Sequence, residues 1–108
     1  MKRSRLERDQ RYLDLDARYG RRLAEIRDSQ GLSQQQVADE MSYERPFVSK
    51  IEHGHRHLNA CEISDYARAL DVDPLFLCRV LLDVVVEYDS SALGQQQEGD
   101  APKDVALK

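Results

Sequence analysis

Little in this chain of 108 residues points to export or to a membrane. Two cysteines, Cys61 and Cys78, are too few for a disulfide framework. The first residues, MKRSRLERDQ, are charged throughout, so no apolar signal segment opens the sequence. No apolar run approaches the roughly 20 residues that a membrane helix needs. The expectation is a reduced, cytoplasmic protein with no membrane partner. Positive charge is not in surplus either: 16 Lys and Arg stand against 20 Asp and Glu, a formal balance of −4. Coating nucleic acid by sheer charge is thereby disfavoured, while a local basic patch stays open. No alternating run rich in Val, Ile or Thr suggests strands, and no solenoid repeat is visible. The length suits one domain.

What the chain does have is helical periodicity. From about Asp16 to Ser29, apolar Tyr19, Leu23 and Ile26 recur at three- and four-residue spacing, and Gly31 ends the segment. Ser33-Gln34-Gln35-Gln36 is a capping box, in which hydroxyl and amide satisfy each other's backbone donors; Val37, Ala38 and Met41 follow inward. Pro46 suits a first helical turn, so a new helix starts near Glu44 or Arg45, buries Val48 and Ile51, and stops at Gly54. Asn59-Ala60-Cys61-Glu62 is a second capping box, opening a helix with Ile63, Tyr66, Ala67 and Leu70 inside. Asp73-Pro74 begins a fifth, unusually apolar helix running to about Tyr88. The sum is an all-α, compact five-helix domain. We expect a basic N-terminal extension over 1–15, the domain over 16–88, and a disordered Gly-, Gln- and charge-rich tail over 89–108.

The stretch GLSQQQVADEMSYERPFVSKIEHG resembles the Cro/C1-type (XRE-like) helix-turn-helix family of phage and bacterial repressors. The likeness runs from about Tyr19 to Leu81; LSQQQVA, FVSKIEHG and YARALDVDP carry it at ungapped spacing. The resemblance implies a lambda-repressor-like fold with a positioning helix over Leu32 to Met41 and a recognition helix over Glu44 to His53. It implies base contacts from Arg45, Pro46, Ser49 and Lys50 in a major groove, with Glu44 able to accept from a cytosine amine. It also implies a phosphate contact at Gln34, at the start of the positioning helix, and an Arg27–Glu52 tie between the first helix and the recognition helix. Ser42 stands where the family usually has glycine. If it keeps φ > 0, the strain is about 1 kcal/mol. Phe47 is expected to pack beneath its neighbours, the alternative being contact with a thymine methyl.

All three histidines fall within His53-Gly54-His55-Arg56-His57. A zinc site wants about four converging ligands, and alternate residues broken by Gly54 converge poorly, so no metal is expected. No partner at a nucleophile's spacing supports catalysis, and neither an enzyme nor a cofactor is expected. Exposed turn histidines are the plain alternative. The family's loop after the recognition helix runs along the DNA backbone, which implies phosphate contacts from His55, Arg56 and His57. An ordinary histidine pKa of about 6.5 then implies tighter DNA binding as pH falls from about 8 to 6.

The fifth helix carries more apolar surface than one side of a small bundle can hide, and Leu82, Val85 and Val86 are candidates for a homodimer interface. The alternative is that Tyr12, Leu13 and Leu15 fold back over that stripe. A dimer would present two recognition helices to a palindromic operator. The expectation is thus a sequence-specific, double-stranded-DNA-binding transcriptional regulator, a dimeric repressor of phage or bacterial origin. An antitoxin or other module with a protein partner is the second reading, and a histidine-based metal sensor the third. Arg3 and Arg5 are candidates for a minor-groove arm, against a plain solvated tail.

Overall fold

The computed structural model describes residues 4–96, and among these every regular element is a helix: α1 (Arg5–Ser29), α2 (Gln34–Met41), α3 (Arg45–Glu52), α4 (Ala60–Leu70) and α5 (Pro74–Gln96). Helix starts follow the capping residues. Ser33 Oγ accepts from Gln36 N at 3.0 Å while Gln36 Oε1 accepts from Ser33 N at 2.8 Å. Asn59 and Glu62 do the same for α4. Asp73 Oδ1 accepts from the Leu75 and Phe76 amides at the head of α5.

Helix ends share one device. At each of the first four, a residue with positive φ lets two amides turn back on the last carbonyls. Gly31 (φ 72) ends α1 and Gly54 (φ 76) ends α3. Ser42 (φ 63) ends α2, so the strained conformation expected there is present. Asp71 (φ 59) ends α4, where no glycine signals it.

Each helix sends a side chain into one centre: Leu23, Val37, Ile51, Leu70 and Leu77 are all at most 2% exposed. Burying each is worth about 1.5–3 kcal/mol. Gly20 lets α1 lie directly on the end of α3, since a Cβ there would overlap the Ile51 and Glu52 carbonyls. Gly54 meets α1 in the same way, with its missing Cβ 2.7 Å from Ala17 Cα.

Two helices are longer than expected. The first begins at Arg5 rather than near Asp16, because Ser4 and Glu7 form a third capping box. Its leading half then lies beside α5. Arg11 donates to both Asp89 oxygens at 3.0 and 2.9 Å, and Tyr88 Oη donates to Asp14 at 2.6 Å. The Arg18 guanidinium sits 5.0 Å over the Tyr88 ring. Helix α5 likewise runs past Tyr88, as far as Gln96. Residue 15 therefore lies inside α1 and residue 89 inside α5. Arg5 is helical, whereas Arg3 and the tail from 97 on lie outside the described residues.

Candidate nucleic-acid interface

Two short helices joined by the Ser42–Glu44 turn form the outward unit. Helix α3 buries Val48 and Ile51, at 0% and 2% exposure, which fixes its rotation. Arg45, Pro46 and Lys50 are therefore exposed, with Ser49 half-buried beside them. Glu44 occupies the N-cap position without a side-chain capping bond, so its carboxylate stands free of the helix end.

Four polar side chains join this surface to the bundle. Arg45 Nη1 donates to Gln34 Oε1 at 2.9 Å, and Gln34 Nε2 donates to Glu52 Oε1 at 2.9 Å. Glu52 also receives Arg27, from Nε at 2.6 Å and Nη2 at 3.0 Å, while Arg27 Nη1 donates to the Leu32 carbonyl at 2.8 Å. Arg27 thus ties α1 to the loop before α2 and to α3 at once. The Gln34 side chain is engaged at both ends, so its place at the head of α2 is rigid. Tyr66 lies beneath this chain, its hydroxyl buried and without a hydrogen-bond partner among the described residues. Burial pushes that phenol's pKa up, and the Glu52 charge adds to the shift.

The histidine loop is held piece by piece. His53 Nδ1 lies 2.8 Å from the Ser49 carbonyl, which keeps that ring on α3. The His55 amide donates to the Lys50 carbonyl at 2.8 Å, closing the helix end. Arg56, expected to meet phosphate, is paired within the chain. Its Nη1 and Nη2 grip the buried Glu62 carboxylate at 2.8 and 2.9 Å, and its guanidinium covers the Phe47 ring at 4.6 Å. That ion pair holds the Glu62 carboxyl below its usual range against the opposing effect of burial. Phe47 packs on the core and against Tyr43, with ring centroids 4.1 Å apart. His57 Nδ1 stands 2.5 Å from Asp16 Oδ2 on α1. Among the described residues, no three His, Cys, Asp or Glu side chains converge as a metal site.

The helix-turn-helix family model matches residues 23–77, just over half of the chain. The chain belongs to the Cro/C1-type helix-turn-helix family. Its fold is similar to that of the restriction-modification controller protein C.AhdI from Aeromonas hydrophila, at 38% identity and a TM-score of 0.56, covering 61% of this chain and 94% of that one. It is also similar to the controller protein C.Esp1396I, solved as a tetramer with its natural 35-base-pair operator (21% identity, TM-score 0.59, 67% and 95% covered). The clp gene regulator ClgR from C. glutamicum shares the fold at 19% identity, with a TM-score of 0.55 and 71% and 91% covered. No curated protein matches this chain.

In this family member the expected positions fall into two groups. Gln34, Arg45, Ser49 and Lys50 lie on or beside the outward unit of α2 and α3, and Arg45 and Gln34 are in direct contact. Leu82 and Val86, on α5, are 63% and 61% exposed, and Val85 is half-buried in a groove shared with Tyr12 and Tyr19. Leu15 of the N-terminal segment is buried, while Leu82 and Val86 of the α5 stripe remain exposed. Sequence reading missed Asp16 and the second use of Glu62. It missed Gly20 too, for which a glycine standing alone inside a helical pattern was the available signal.

Proposed function

We propose that this protein is a sequence-specific double-stranded-DNA-binding transcriptional regulator, acting as a dimeric repressor on a palindromic operator. One observation carries the reading: α3 buries Val48 and Ile51 while Arg45, Pro46 and Lys50 face water, and Arg45 is already held by Gln34. A helix so placed enters a major groove with its first residues on base edges. Arg45 is the reader of guanine, whose O6 and N7 match a guanidinium fork. Ser49 and Lys50 read beside it, Pro46 packs on the base edges, and Glu44 accepts from a cytosine amine. Backbone phosphates are met at the head of α2, at Gln34, and by His55 and His57. Arg56, neutralised by Glu62, supports the loop and gives only a weakened field toward phosphate. The likeness to C.AhdI, a restriction-modification controller, supports gene control and not catalysis.

The dimer is formed by α5 against α5 through Leu82, Val85 and Val86, so that two copies of α3 face half-sites about 34 Å apart. Selection of bound fragments from random duplexes tests the whole reading. The expected result is a palindrome with half-sites one helical turn apart; no enrichment of any sequence would overturn it. The same exposed stripe on α5 supports the second reading, an antitoxin-like module. Equimolar co-purification of an unrelated small protein would favour it.

A further inference from the structure

Asp16 sits inside α1 with 9% of its side chain exposed, 41 positions away from the histidine it meets. His57 keeps 74% of its side chain in water. Its backbone is fixed from two directions: Gly54 rests on Ala17 of α1, and Arg56 Nη1 donates to the His57 carbonyl at 2.8 Å. An ionised carboxylate only accepts hydrogen bonds, so Nδ1 is the nitrogen that carries the ring proton in this contact. Nε2 is then the ring atom left for an outside partner.

We propose that Asp16 is a positioning residue that turns His57 Nε2 toward a DNA backbone phosphate, a contact made with uptake of one proton by the imidazole. It rests on the DNA-binding reading above. With the proton on Nδ1 alone, Nε2 presents a lone pair and repels a phosphate oxygen. A second proton makes Nε2 a donor, and Asp16 balances the new charge from the opposite side of the ring.

The neighbouring charges leave this pairing intact. On α1, Arg11 is matched by Asp89 of α5, and in the loop Arg56 is matched by Glu62 of α4. Tyr12 and Tyr19 are the other titratable groups lining the groove that His57 shares with Asp16. Burial pushes the Asp16 carboxyl up despite the His57 bond, so an amide of the same shape is tolerated there.

The test uses the full chain and its selected duplex, in a His55→Gln background so that one loop imidazole dominates. Affinity is measured from pH 8 to pH 6 for that parent, for Asp16→Asn and for His57→Gln. Proton-coupled binding by one group raises affinity by at most about tenfold per pH unit. The parent should gain affinity as pH falls, within that limit, His57→Gln should be flat, and Asp16→Asn should gain less than half as much as the parent. Nitrogen NMR of the free parent should find the ring proton on Nδ1, and Asp16→Asn should shift it toward Nε2. A parent slope retained in Asp16→Asn, or a ring proton on Nε2 in the parent, overturns the proposal while leaving DNA binding intact. If no duplex is bound, the DNA-binding reading falls and the phosphate contact with it, whatever the tautomer.

Discussion

The α2–α3 surface and the α1–α5 surface are built on opposite principles. On the first, long polar side chains hold one another: Arg45 to Gln34, Gln34 to Glu52, Glu52 to Arg27. On the second, large apolar side chains stand in water: Leu82 is 63% exposed, Val86 61% and Leu13 56%. A preorganised polar surface binds through directed bonds whose geometry is settled beforehand. An apolar surface gains by shedding water, about 25 cal/mol for each Å² covered. Under the proposed function, the difference teaches that reading a sequence and pairing with a partner fall to separate parts of one small bundle. Helix α1 serves both, supplying Arg27 to one surface and its leading half to the other. Damage to one should therefore leave the other standing.

The harshest break is Glu52→Ala. The Arg27–Glu52 pair is largely buried, with 14% and 6% of the side chains exposed, and Gln34 loses an acceptor too. Removing one partner of a buried pair leaves an uncompensated charge and costs about 3 kcal/mol or more. Urea unfolding should show that loss, and DNA binding should fail with it. A variant that kept its midpoint would mean that water replaces the pair, and that the polar surface is less rigid than its distances suggest.

Leu82→Glu breaks the other side. Leu82 is exposed, so folding stability should change by less than about 0.5 kcal/mol. Two half-sites bound by one dimer gain on the order of 100-fold in avidity, and that should vanish. Light scattering should read a monomer, while a single half-site is bound as before. A dimer surviving Leu82→Glu would move the pairing surface off this stretch of α5.

How far the sequence foretold this division depends on distance along the chain. Helix number, the capping boxes at Ser33 and Asn59, the turn at Ser42 and the rotation of α3 were legible, because each is decided within about four residues. The Arg27–Glu52 tie came only through family resemblance. Asp16–His57 and Arg11–Asp89 span 41 and 78 positions, and no local pattern announces them. Glu62 was legible as a cap, yet its second role in gripping Arg56 was not, since one carboxylate serves both. The leading half of α1 was underestimated for a related reason: its stability rests on α5, and its own apolar pattern is thin.

Within the polar surface, Arg45 and Arg56 separate reading from support. Arg45→Ala should cost about 1–3 kcal/mol of operator binding and relax selection at one base pair, with stability unchanged. Arg56→Ala should instead weaken all duplexes alike and lower stability at neutral pH. Its partner Glu62 is depressed by the pair, so that stability is present above the unfolded carboxylate pKa and fades as pH falls through the lower folded value. Binding and unfolding curves on the two variants check the contrast. Equal losses of selectivity in both would place Arg56 on the bases after all.

The smallest expected effect probes the turn that sets α3 against α2. Ser42 holds φ 63 and ψ 37, a left-handed conformation that costs an L-residue about 1 kcal/mol. Glycine removes that strain but adds freedom to the unfolded chain, so Ser42→Gly should gain at most about 1 kcal/mol, or about 4 °C in Tm. Gly31→Ala supplies the mirror measurement. Its φ is also positive and nothing lies within 4 Å of the added Cβ, so its loss reports backbone strain without a clash. If Ser42→Gly destabilises by more than the about 1 kcal/mol that added chain freedom can account for, the Ser42 side chain must itself support the turn. The polar surface would then depend on this hydroxyl as well as on the chain from Arg45 to Arg27.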